Sequence, residues 1–342
     1  MSMRRLKLFK PFVSWRAIVN VVRVLMSDQL AEGPLVKKFE KEFAEKFKLS
    51  NVVALNSGTA ALELAYELAG IGEGDEVITP VLTCTATNTP LIHRKAKIIF
   101  ADIDKDLNVS IEDVKRKVTN KTKAVVFVHF GGNNRGLKEL IEFCKLRSIK
   151  VIEDAAQAVG SDFWGKADFA CVSLQAIKTL TSGDGGFLIC KNEEDYKKAK
   201  RLRWFGYDRD EKQKKGDTDL TEAGYKYHMN DITAAIGLGN LSVVDKLITH
   251  RKRLMEIYSK AGLNSHIWMT SVIGLDYDSL STKLKEHGFE TGQHHYRNDK
   301  YTLFGGRQKF PVMDSIEDNY FFVPMHQDVS FKQAKKIVSL LK

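Results

Sequence analysis

Lys178 is the residue of this sequence whose surroundings first suggest chemistry. It lies in the stretch C-V-S-L-Q-A-I-K-T-L-T-S-G-D-G-G, which runs from Cys171 to Gly186, five positions after Ser173 and shortly before a glycine-rich turn. Because apolar residues surround it, we expect its amine at the edge of a packed sheet. Loss of solvation lowers the pKa of a lysine, and the neutral amine can form a Schiff base with a carbonyl. On this stretch alone, a solvated surface lysine is the alternative.

Small polar residues join an early strand to a helix. The segment V-V-A-L-N-S-G-T-A-A-L-E-L contains a short apolar strand, then Ser57, Gly58 and Thr59, then a helix rich in alanine and leucine. The N-terminus of a helix presents free N–H groups and the positive end of a dipole, which favour a phosphate group. An ordinary helix cap by Ser57 is the alternative.

A pair of carboxylates ends a later strand. In K-V-I-E-D-A-A-Q-A-V-G the apolar run stops at Glu153 and Asp154. Strands and helices alternate along this part of the chain, which predicts a mostly parallel sheet with helices on both faces. Ligands of such folds bind at the carboxyl ends of the strands. Asp154 and Lys178 are 24 residues apart, so we expect them on neighbouring strand ends.

The hydrophobic periodicity predicts the elements that must hold these side chains. One long helix is expected to pass through Leu241, Val244 and Leu247, with its periodicity continuing to about Tyr258, and a strand is expected near Ile267. The other predicted helices are Trp15–Met26, one after Gly33, one from near Thr85, Ile111–Val118, Leu137–Arg147 and Phe331–Leu341, and two predicted strands are Ala96–Ala101 and Lys123–His129.

Length and composition set broad limits. A chain of 342 residues suggests two domains, which we place at 1–240 and 241–342. The sequence has no run of about 18 apolar residues and no secretory signal, so we expect a cytoplasmic protein that does not span a membrane. The four cysteines show no C-x-x-C spacing, which argues against a zinc site. The net charge of +10 suits a diphosphate substrate, but the scattered lysines favour a solvated surface over binding to nucleic acid.

Several motifs occur in one order along the chain. They are G-P-L-V-K-K-F-E, N-S-G-T-A-A-L, G-D-E-V-I-T-P, E-D-A-A-Q-A, S-x-x-x-x-K-x-x-T-x-G-x-G-G and Y-x-M-N-D-I-T-A-A-I-G-L. From about Gly33 to Arg251, the chain therefore resembles the nucleotide-sugar aminotransferases of the DegT type, which are pyridoxal-phosphate (PLP) enzymes of fold type I. The resemblance implies an α/β fold with a mixed, mostly parallel sheet between helices, and a smaller C-terminal α+β domain. It also implies PLP that cycles through pyridoxamine phosphate, and a homodimer with shared active sites.

The resemblance assigns roles to individual residues. Lys178 would hold the cofactor covalently and then act as the base that moves the substrate proton. Asp154 would pair with the pyridine nitrogen and keep it protonated, which makes the ring an electron sink. Gln157 would support the ring or its 3′ oxygen. The cofactor phosphate would be held by Ser57, Gly58, Thr59 and Ser173.

The chain also departs from the family pattern. Cys84 stands where most members stack an aromatic residue on the cofactor, and Gln175 replaces a usual histidine. Lys226 stands where an asparagine commonly reaches the phosphate across the dimer interface. The connection between the helix around Tyr258 and the strand near Ile267 is short. Lys178 itself is retained, whereas related dehydratases have histidine there, so transamination is favoured over deoxygenation.

A polar cluster lies late in the chain, in T-G-Q-H-H-Y-R-N-D-K-Y. Its residues His294, His295, Tyr296 and Arg297 lie where family members approach the sugar or the donor carboxylate. Arginine suits a carboxylate or a diphosphate through paired hydrogen bonds. A polar turn with solvated histidines is the alternative. A metal site is not expected, because adjacent histidines on a strand point apart and no third ligand is suitably spaced.

These observations predict a PLP-dependent aminotransferase. The expected reaction moves an amino group from glutamate, or a similar amino acid, to a keto group of a nucleotide-linked sugar. Two alternatives stay open on the sequence. One is an aminotransferase for a keto-cyclitol or another ketone without a nucleotide, and the other is a PLP-binding regulatory protein without turnover.

Overall fold

The computed structural model describes residues 5–274 and 276–342. The helices are α1 (Trp15–Leu25), α2 (Pro34–Phe47), α3 (Gly58–Leu68), α4 (Thr85–His93), α5 (Ile111–Lys117), α6 (Leu137–Lys145), α7 (Glu193–Leu202), α8 (Arg209–Lys215), α9 (Asp231–Leu241), α10 (Val244–Lys260), α11 (Tyr277–Glu286), α12 (Pro311–Ile316) and α13 (Phe331–Leu340). The strands are β1 (Val52–Leu55), β2 (Glu76–Pro80), β3 (Leu82–Thr83), β4 (Lys97–Ala101), β5 (Thr122–Val128), β6 (Lys150–Asp154), β7 (Phe169–Ser173), β8 (Gly186–Cys190), β9 (Asn264–Ser265), β10 (Thr270–Ile273), β11 (Tyr296–Arg297) and β12 (Tyr320–Val323).

A seven-stranded sheet forms the centre of the molecule, in the order β1-β8-β7-β6-β5-β2-β4. The pairs among β7, β6, β5, β2 and β4 are parallel, whereas β8 is antiparallel to both β7 and β1. The strands are short apolar runs because both faces of the sheet are buried under helices. The predicted α/β fold, with a mixed and mostly parallel sheet, is confirmed.

The register of the sheet places the expected strand ends together. Asp154, the last residue of β6, is paired with Val128 of β5 and with Cys171 of β7. Since these three strands are parallel, their carboxyl ends lie at the same edge. The loop after β7, which carries Lys178, therefore starts beside Asp154.

A smaller unit is built on a three-stranded antiparallel sheet in the order β12-β10-β9. Helices α10, α11 and α13 cover this sheet around a separate apolar cluster that includes Leu254, Phe321 and Ile337. The first described residues also lie here, because Leu6 bridges to Phe289. The division of the chain at residue 240 stays a prediction.

Two local predictions were wrong. The long helix expected through Leu241 is two helices, α9 and α10, which are bent by 58°. Val243 between them has φ −124° and ψ 6°, outside the helical region, and the Ser242 hydroxyl donates to the Gly239 carbonyl at 2.8 Å. The strand expected near Ile267 is the turn between β9 and β10, where the His266 N–H donates to the Met269 carbonyl.

Among the described residues, no single helix has both the length and the apolar content of a membrane span. Helices α9 and α10 meet those limits only as a bent pair, by length and composition.

Candidate active site

A cavity of about 500 Å³ opens at the carboxyl edge of the central sheet. Its wall combines the N-terminus of α3, the ends of β6 and β7, the start of α4 and a segment of the smaller unit. Most of the site residues expected from the sequence meet here. The lining includes Ser57, Gly58, Thr59, Cys84, Asp154, Gln157, Ser173, Gln175, Lys178, Asp184, His294 and His295.

Lys178 lies in the loop between β7 and β8. Burial lowers the pKa of its amine to about 8, although the nearby carboxylate of Asp154 opposes this shift. Within the described part of the chain, its Nζ atom has neither a hydrogen bond nor an ion pair, and it lies 4.3 Å from the centre of the Trp268 ring. A substantial fraction of the amine is therefore neutral near pH 8 and able to attack a carbonyl.

Asp154 is buried but open to the cavity, with 5% of its surface exposed. Its Oδ2 atom accepts a hydrogen bond from the Thr87 hydroxyl at 2.7 Å, and Oδ1 accepts from the Ala156 N–H at 3.2 Å. The Thr83 and Thr87 hydroxyls are 2.8 Å apart and continue this chain of hydrogen bonds. A carboxylate accepts about four hydrogen bonds, so Asp154 keeps acceptor capacity for a ligand.

Glu153, the preceding residue, faces the other side of the sheet and has no exposed surface. Its carboxylate contacts His129 Nε2 at 2.8 Å. It also accepts from the backbone N–H groups of Gly165, Lys166 and Ala167 at 2.6–2.8 Å. Glu153 therefore anchors a loop behind the sheet and lies outside the cavity.

Gln157 is held in one orientation by its two ends. Its Oε1 atom accepts from the Gly131 N–H at 2.6 Å, and its Nε2 atom lies 3.0 Å from His295 Nε2. The amide therefore donates to an unprotonated imidazole nitrogen. This contact joins the larger unit to the smaller one at the cavity wall.

The N-terminus of α3 forms the opposite wall. The Ser57 hydroxyl accepts from the Ala60 N–H at 3.0 Å, so Ser57 is the helix cap, as the alternative interpretation had it. A Cβ atom at Gly58 would lie 2.8 Å from Ser173 Cβ, and only glycine allows this close approach. The first N–H groups of the helix remain directed toward the cavity as possible donors to an anion.

His294 and His295 reach the cavity from the smaller unit. They were expected on a strand with their rings apart, but they lie in an irregular segment with ring centres 4.2 Å apart. Burial, with a smaller effect of the Lys178 charge, lowers the pKa of His294 to about 4. Burial also lowers the pKa of His295 well below its usual range. Both imidazoles are therefore neutral at physiological pH.

The next two residues of the cluster turn away from the cavity. Tyr296 is exposed, with the Lys300 ammonium 4.0 Å from its ring centre. Arg297 was expected where family members approach the sugar or the donor carboxylate, and in this chain it lies outside the cavity lining. Its buried guanidinium is paired with carboxylates of its own chain, which occupy its donors, so none is left for a ligand. The contacts are Asp299 at 2.7 Å through two nitrogens, Asp314 at 2.5 Å, Glu317 at 2.9 Å and the Gln308 carbonyl at 2.9 Å.

Lys226 does not line the cavity of its own chain. Its side chain is exposed, and its backbone carbonyl accepts from the Asn56 amide at 3.1 Å. Cys84 does line the cavity, at the N-cap position of α4. Burial raises the pKa of its thiol, so Cys84 is present as a neutral thiol.

The sequence analysis missed Asp184, which lines the cavity, and two buried residues that contact lining residues, Thr87 and Trp268. Thr87 belongs to the motif that contains Cys84, and Asp184 lies in the glycine-rich turn, so both had a local signal. Trp268 had none, because it lies in a turn of the smaller unit and approaches Lys178 only in the folded chain. No group of residues suited to a metal ion occurs among those that the structure describes.

The comparisons with known proteins agree with this geometry. The sequence model of the DegT/DnrJ/EryC1/StrS aminotransferase family matches residues 15–342. This chain belongs to that family. A GDP-perosamine synthase of Vibrio cholerae is 32% identical over 91% of each chain. An uncharacterized protein of Methanocaldococcus jannaschii is 34% identical and covers 98% of this chain and 96% of its own.

Solved structures of the family superimpose closely. The sugar aminotransferase CalS13 from Micromonospora echinospora has a TM-score of 0.92 and 29% identity, with 98% of each chain covered. A sugar aminotransferase of Streptococcus pneumoniae, solved in its pyridoxamine-phosphate form, has a TM-score of 0.87 and 25% identity over 99% of this chain and 97% of its own. The chain is therefore a PLP-dependent sugar aminotransferase, an enzyme of amino sugar biosynthesis, whose cofactor alternates between PLP and pyridoxamine phosphate.

The residues of the cavity fit this cofactor. A lysine with a lowered pKa suits its aldehyde, and a buried carboxylate with free acceptor capacity suits a protonated ring nitrogen. The N-terminus of a helix suits its phosphate. All three line the same cavity of this chain.

Proposed function

We propose that this enzyme transfers the amino group of glutamate, or of a similar amino acid, to the keto carbon of a sugar that is linked to a nucleoside diphosphate. The observation that carries the proposal is the cavity in which Lys178, Asp154 and the N-terminus of α3 face one another. The name of the relative from Vibrio cholerae, a GDP-perosamine synthase, supports a nucleotide-linked sugar. The positive net charge and the expected cytoplasmic location are compatible with such a substrate.

In this proposal, each residue of the cavity has one task. Bound PLP supplies an electron sink for the negative charge that develops at the substrate carbon. The Asp154 carboxylate would keep the ring nitrogen protonated, and Gln157 would support the ring. Ser57, Gly58, Thr59 and Ser173 hold the phosphate, while Cys84 lies at the position of the usual stacking aromatic.

Lys178 moves the proton. Its neutral Nζ atom would take a proton from the substrate carbon, hold it as an ammonium group and then give it up again to complete the transfer. With a pKa of about 8, the amine can both accept and donate a proton near neutral pH. The neutral imidazoles of His294 and His295 contact the sugar or the donor: His294 can donate and accept a hydrogen bond, whereas His295 already accepts from Gln157 and can still donate.

The experiment that tests the substrate class compares matched ketones. The purified enzyme with glutamate is offered keto sugars linked to GDP, UDP or dTDP, the corresponding free keto sugars, and a keto-cyclitol, and the formation of 2-oxoglutarate is measured. We expect turnover only with a nucleotide-linked sugar, and none with the Lys178→Ala control. Turnover restricted to a free sugar or to the cyclitol would assign the non-nucleotide alternative instead.

Among the residues that the structure describes, the cavity lining offers no second positive charge for the cofactor phosphate. Its lining includes one lysine, Lys178, whose amine is needed for the cofactor aldehyde, and two carboxylates, Asp154 and Asp184. We therefore propose a homodimer in which Lys226 of the partner subunit completes the phosphate site. The exposed position of Lys226, outside the cavity of its own chain, is compatible with this.

Complementation between inactive variants tests the shared site. Lys178→Ala and Lys226→Ala homodimers are each expected to have weak activity. A hybrid dimer has one site with both lysines intact, so mixing the two proteins should restore up to a quarter of wild-type activity at random exchange. Absence of rescue, with hybrid formation verified by mass spectrometry, would place Lys226 in the site of its own chain or outside both sites.

A further inference from the structure

Trp268 is the aromatic residue that touches the reactive lysine. The Lys178 Nζ atom lies 4.3 Å from the centre of the indole ring. An ammonium group over an aromatic face is stabilised by the negative charge of the π-system, and tryptophan gives the largest effect of the aromatic residues. Lys178 has no ion pair within the described part of the chain, and the face of the indole lies beside its amine.

The indole is fixed relative to the lysine. Its Nε1–H group donates to the carbonyl of Ile177, the residue before Lys178, at 3.3 Å. The backbone N–H of Trp268 donates to the Gly131 carbonyl at 2.8 Å, and the ring is 1% exposed. Phe9, from the N-terminal segment, stacks on the indole with ring centres 5.1 Å apart and planes inclined by 18°. The ring therefore has little freedom to leave the lysine.

The other groups that face the lysine act differently. Asp154 raises its pKa through a negative charge, but it is needed for the cofactor ring and lies beyond ion-pair distance. Cys84 lies across the cavity as a neutral thiol, because burial raises its pKa. His294 and His295 are neutral, and the lysine charge further lowers their pKa values. Among the described residues, none of these groups makes a hydrogen bond or an ion pair with Lys178 Nζ, whereas the indole ring centre lies 4.3 Å from it.

We propose that Trp268 is the positioning residue for Lys178, and that its indole face holds the protonated amine whenever this amine is not bound to the cofactor. The inference rests on the proposed function of Lys178 as the proton carrier. After Nζ has taken a proton from the substrate carbon, its positive charge is stabilised by the ring without a salt bridge. A salt bridge would hold the proton more strongly and slow its return.

The test changes the charge of the ring while keeping its shape. The full-length enzyme, freed of cofactor, is prepared with tryptophan replaced by its monofluoro and tetrafluoro analogues, since fluorine withdraws electron density from the ring face. The rate at which an amine-directed reagent modifies Lys178 is followed by mass spectrometry as a function of pH, which gives the pKa of the amine. No substrate is used, so the outcome does not depend on which ketone the enzyme accepts.

We expect the pKa of Lys178 to fall stepwise with fluorination, by about half a unit or more in the tetrafluoro protein. The matched control carries Trp268→Phe, in which the other tryptophans, Trp15, Trp164 and Trp204, are still fluorinated. In that control the analogues should leave the pKa of Lys178 unchanged. An unchanged or raised pKa in the wild-type background, or an equal fall in both backgrounds, would overturn the proposal. The monofluoro protein is nearly isosteric, so it gives a result even if the tetrafluoro protein does not fold.

Discussion

At the end of β6, two neighbouring carboxylates lie on opposite faces of the central sheet and differ in their hydrogen-bond partners. Asp154 and Glu153 are both buried, with 5% and 0% of their surface exposed. Asp154 accepts two hydrogen bonds and faces a cavity, whereas Glu153 has four partners and faces packed protein. Burial alone therefore does not identify a functional carboxylate. A functional carboxylate is identified by hydrogen-bond acceptor capacity that its own chain leaves unused.

The same difference separates two cations, Arg297 and Lys178. Arg297 is paired with carboxylates of its own chain, while the Nζ atom of Lys178 has only an aromatic ring beside it among the described residues. A cation with several partners keeps its charge and its position. A lysine without an ion pair can change its protonation state, as its pKa of about 8 shows.

The largest expected effect is that of Lys178→Ala. Without the amine, neither covalent attachment of the cofactor nor proton transfer at Nζ is possible. We expect turnover to fall by about 10⁴-fold, with the visible absorbance of the attached cofactor lost. Steady-state assays and absorbance spectra measure both. Borohydride reduction and mass spectrometry of the wild type should find the cofactor on Lys178, and an adduct on another residue would contradict its role.

Asp154→Asn tests the cavity side of β6. The amide cannot stabilise a proton on the ring nitrogen, so we expect turnover to fall by about 10³-fold while cofactor binding and the melting temperature stay close to wild type. Single-turnover kinetics and equilibrium dialysis separate the two effects. Undiminished turnover would show that Asp154 is not the partner of the ring.

Glu153→Gln tests the face of the sheet that is turned away from the cavity. It should lower stability and leave turnover unchanged, the opposite of Asp154→Asn. The amide leaves at least one of the N–H groups of Gly165, Lys166 and Ala167 without an acceptor, so we expect a loss of about 3 kcal/mol in the free energy of unfolding. Turnover per folded molecule should remain unchanged. Denaturant titration and active-site titration provide the two measurements, and a selective loss of turnover would refute the division between the two faces.

The stability of Glu153→Gln should also depend on pH differently from that of the wild type. Burial opposes ionisation, but the contacts with His129 and the backbone N–H groups lower the pKa of Glu153 overall. Its contribution to stability is therefore complete above the unfolded-state pKa of about 4.3 and is lost as pH falls through the lower folded-state value. Glu153→Gln should lose less stability than the wild type on acidification below about pH 4.

Arg297→Lys sharpens the contrast between the two cations. Lysine cannot reproduce the paired hydrogen bonds to Asp299, so we expect a loss of about 2 kcal/mol in the free energy of unfolding. The KM values for the amino donor and the sugar should not change, because the guanidinium has no donor directed at the cavity. A raised KM with unchanged stability would restore the substrate role that the sequence suggested.

Thr87→Val should have the smallest effect. It removes the hydroxyl that donates to Asp154 Oδ2 at 2.7 Å, and we expect a loss of about 1 kcal/mol in stability with a fall in turnover below about ten-fold. Thr87→Ser keeps the hydroxyl and serves as the matched control. If both variants behave alike in turnover and unfolding, the hydroxyl does not orient Asp154.

Much of the fold was predictable because local pattern and tertiary structure agree there. Predicted helices such as Trp15–Met26 and Phe331–Leu341 differ from α1 and α13 by one residue at the end. The motif around Asp154 gave the strand end correctly, since a buried parallel strand is a short apolar run. The break at Val243 was missed because the apolar spacing continues through it, and a side-chain hydrogen bond is invisible to periodicity.

The sequence by itself determined the parts of this protein that depend on local spacing: the strand that ends in Asp154, the cap at Ser57 and the loop that carries Lys178. Only the tertiary structure decided which other groups meet them. It brought His294 and His295 to the cavity, paired Arg297 with its own chain and placed Trp268 on the lysine. Apart from the pair of Arg297 with Asp299, these contacts join residues that are distant in the chain, so they leave no local pattern in the sequence.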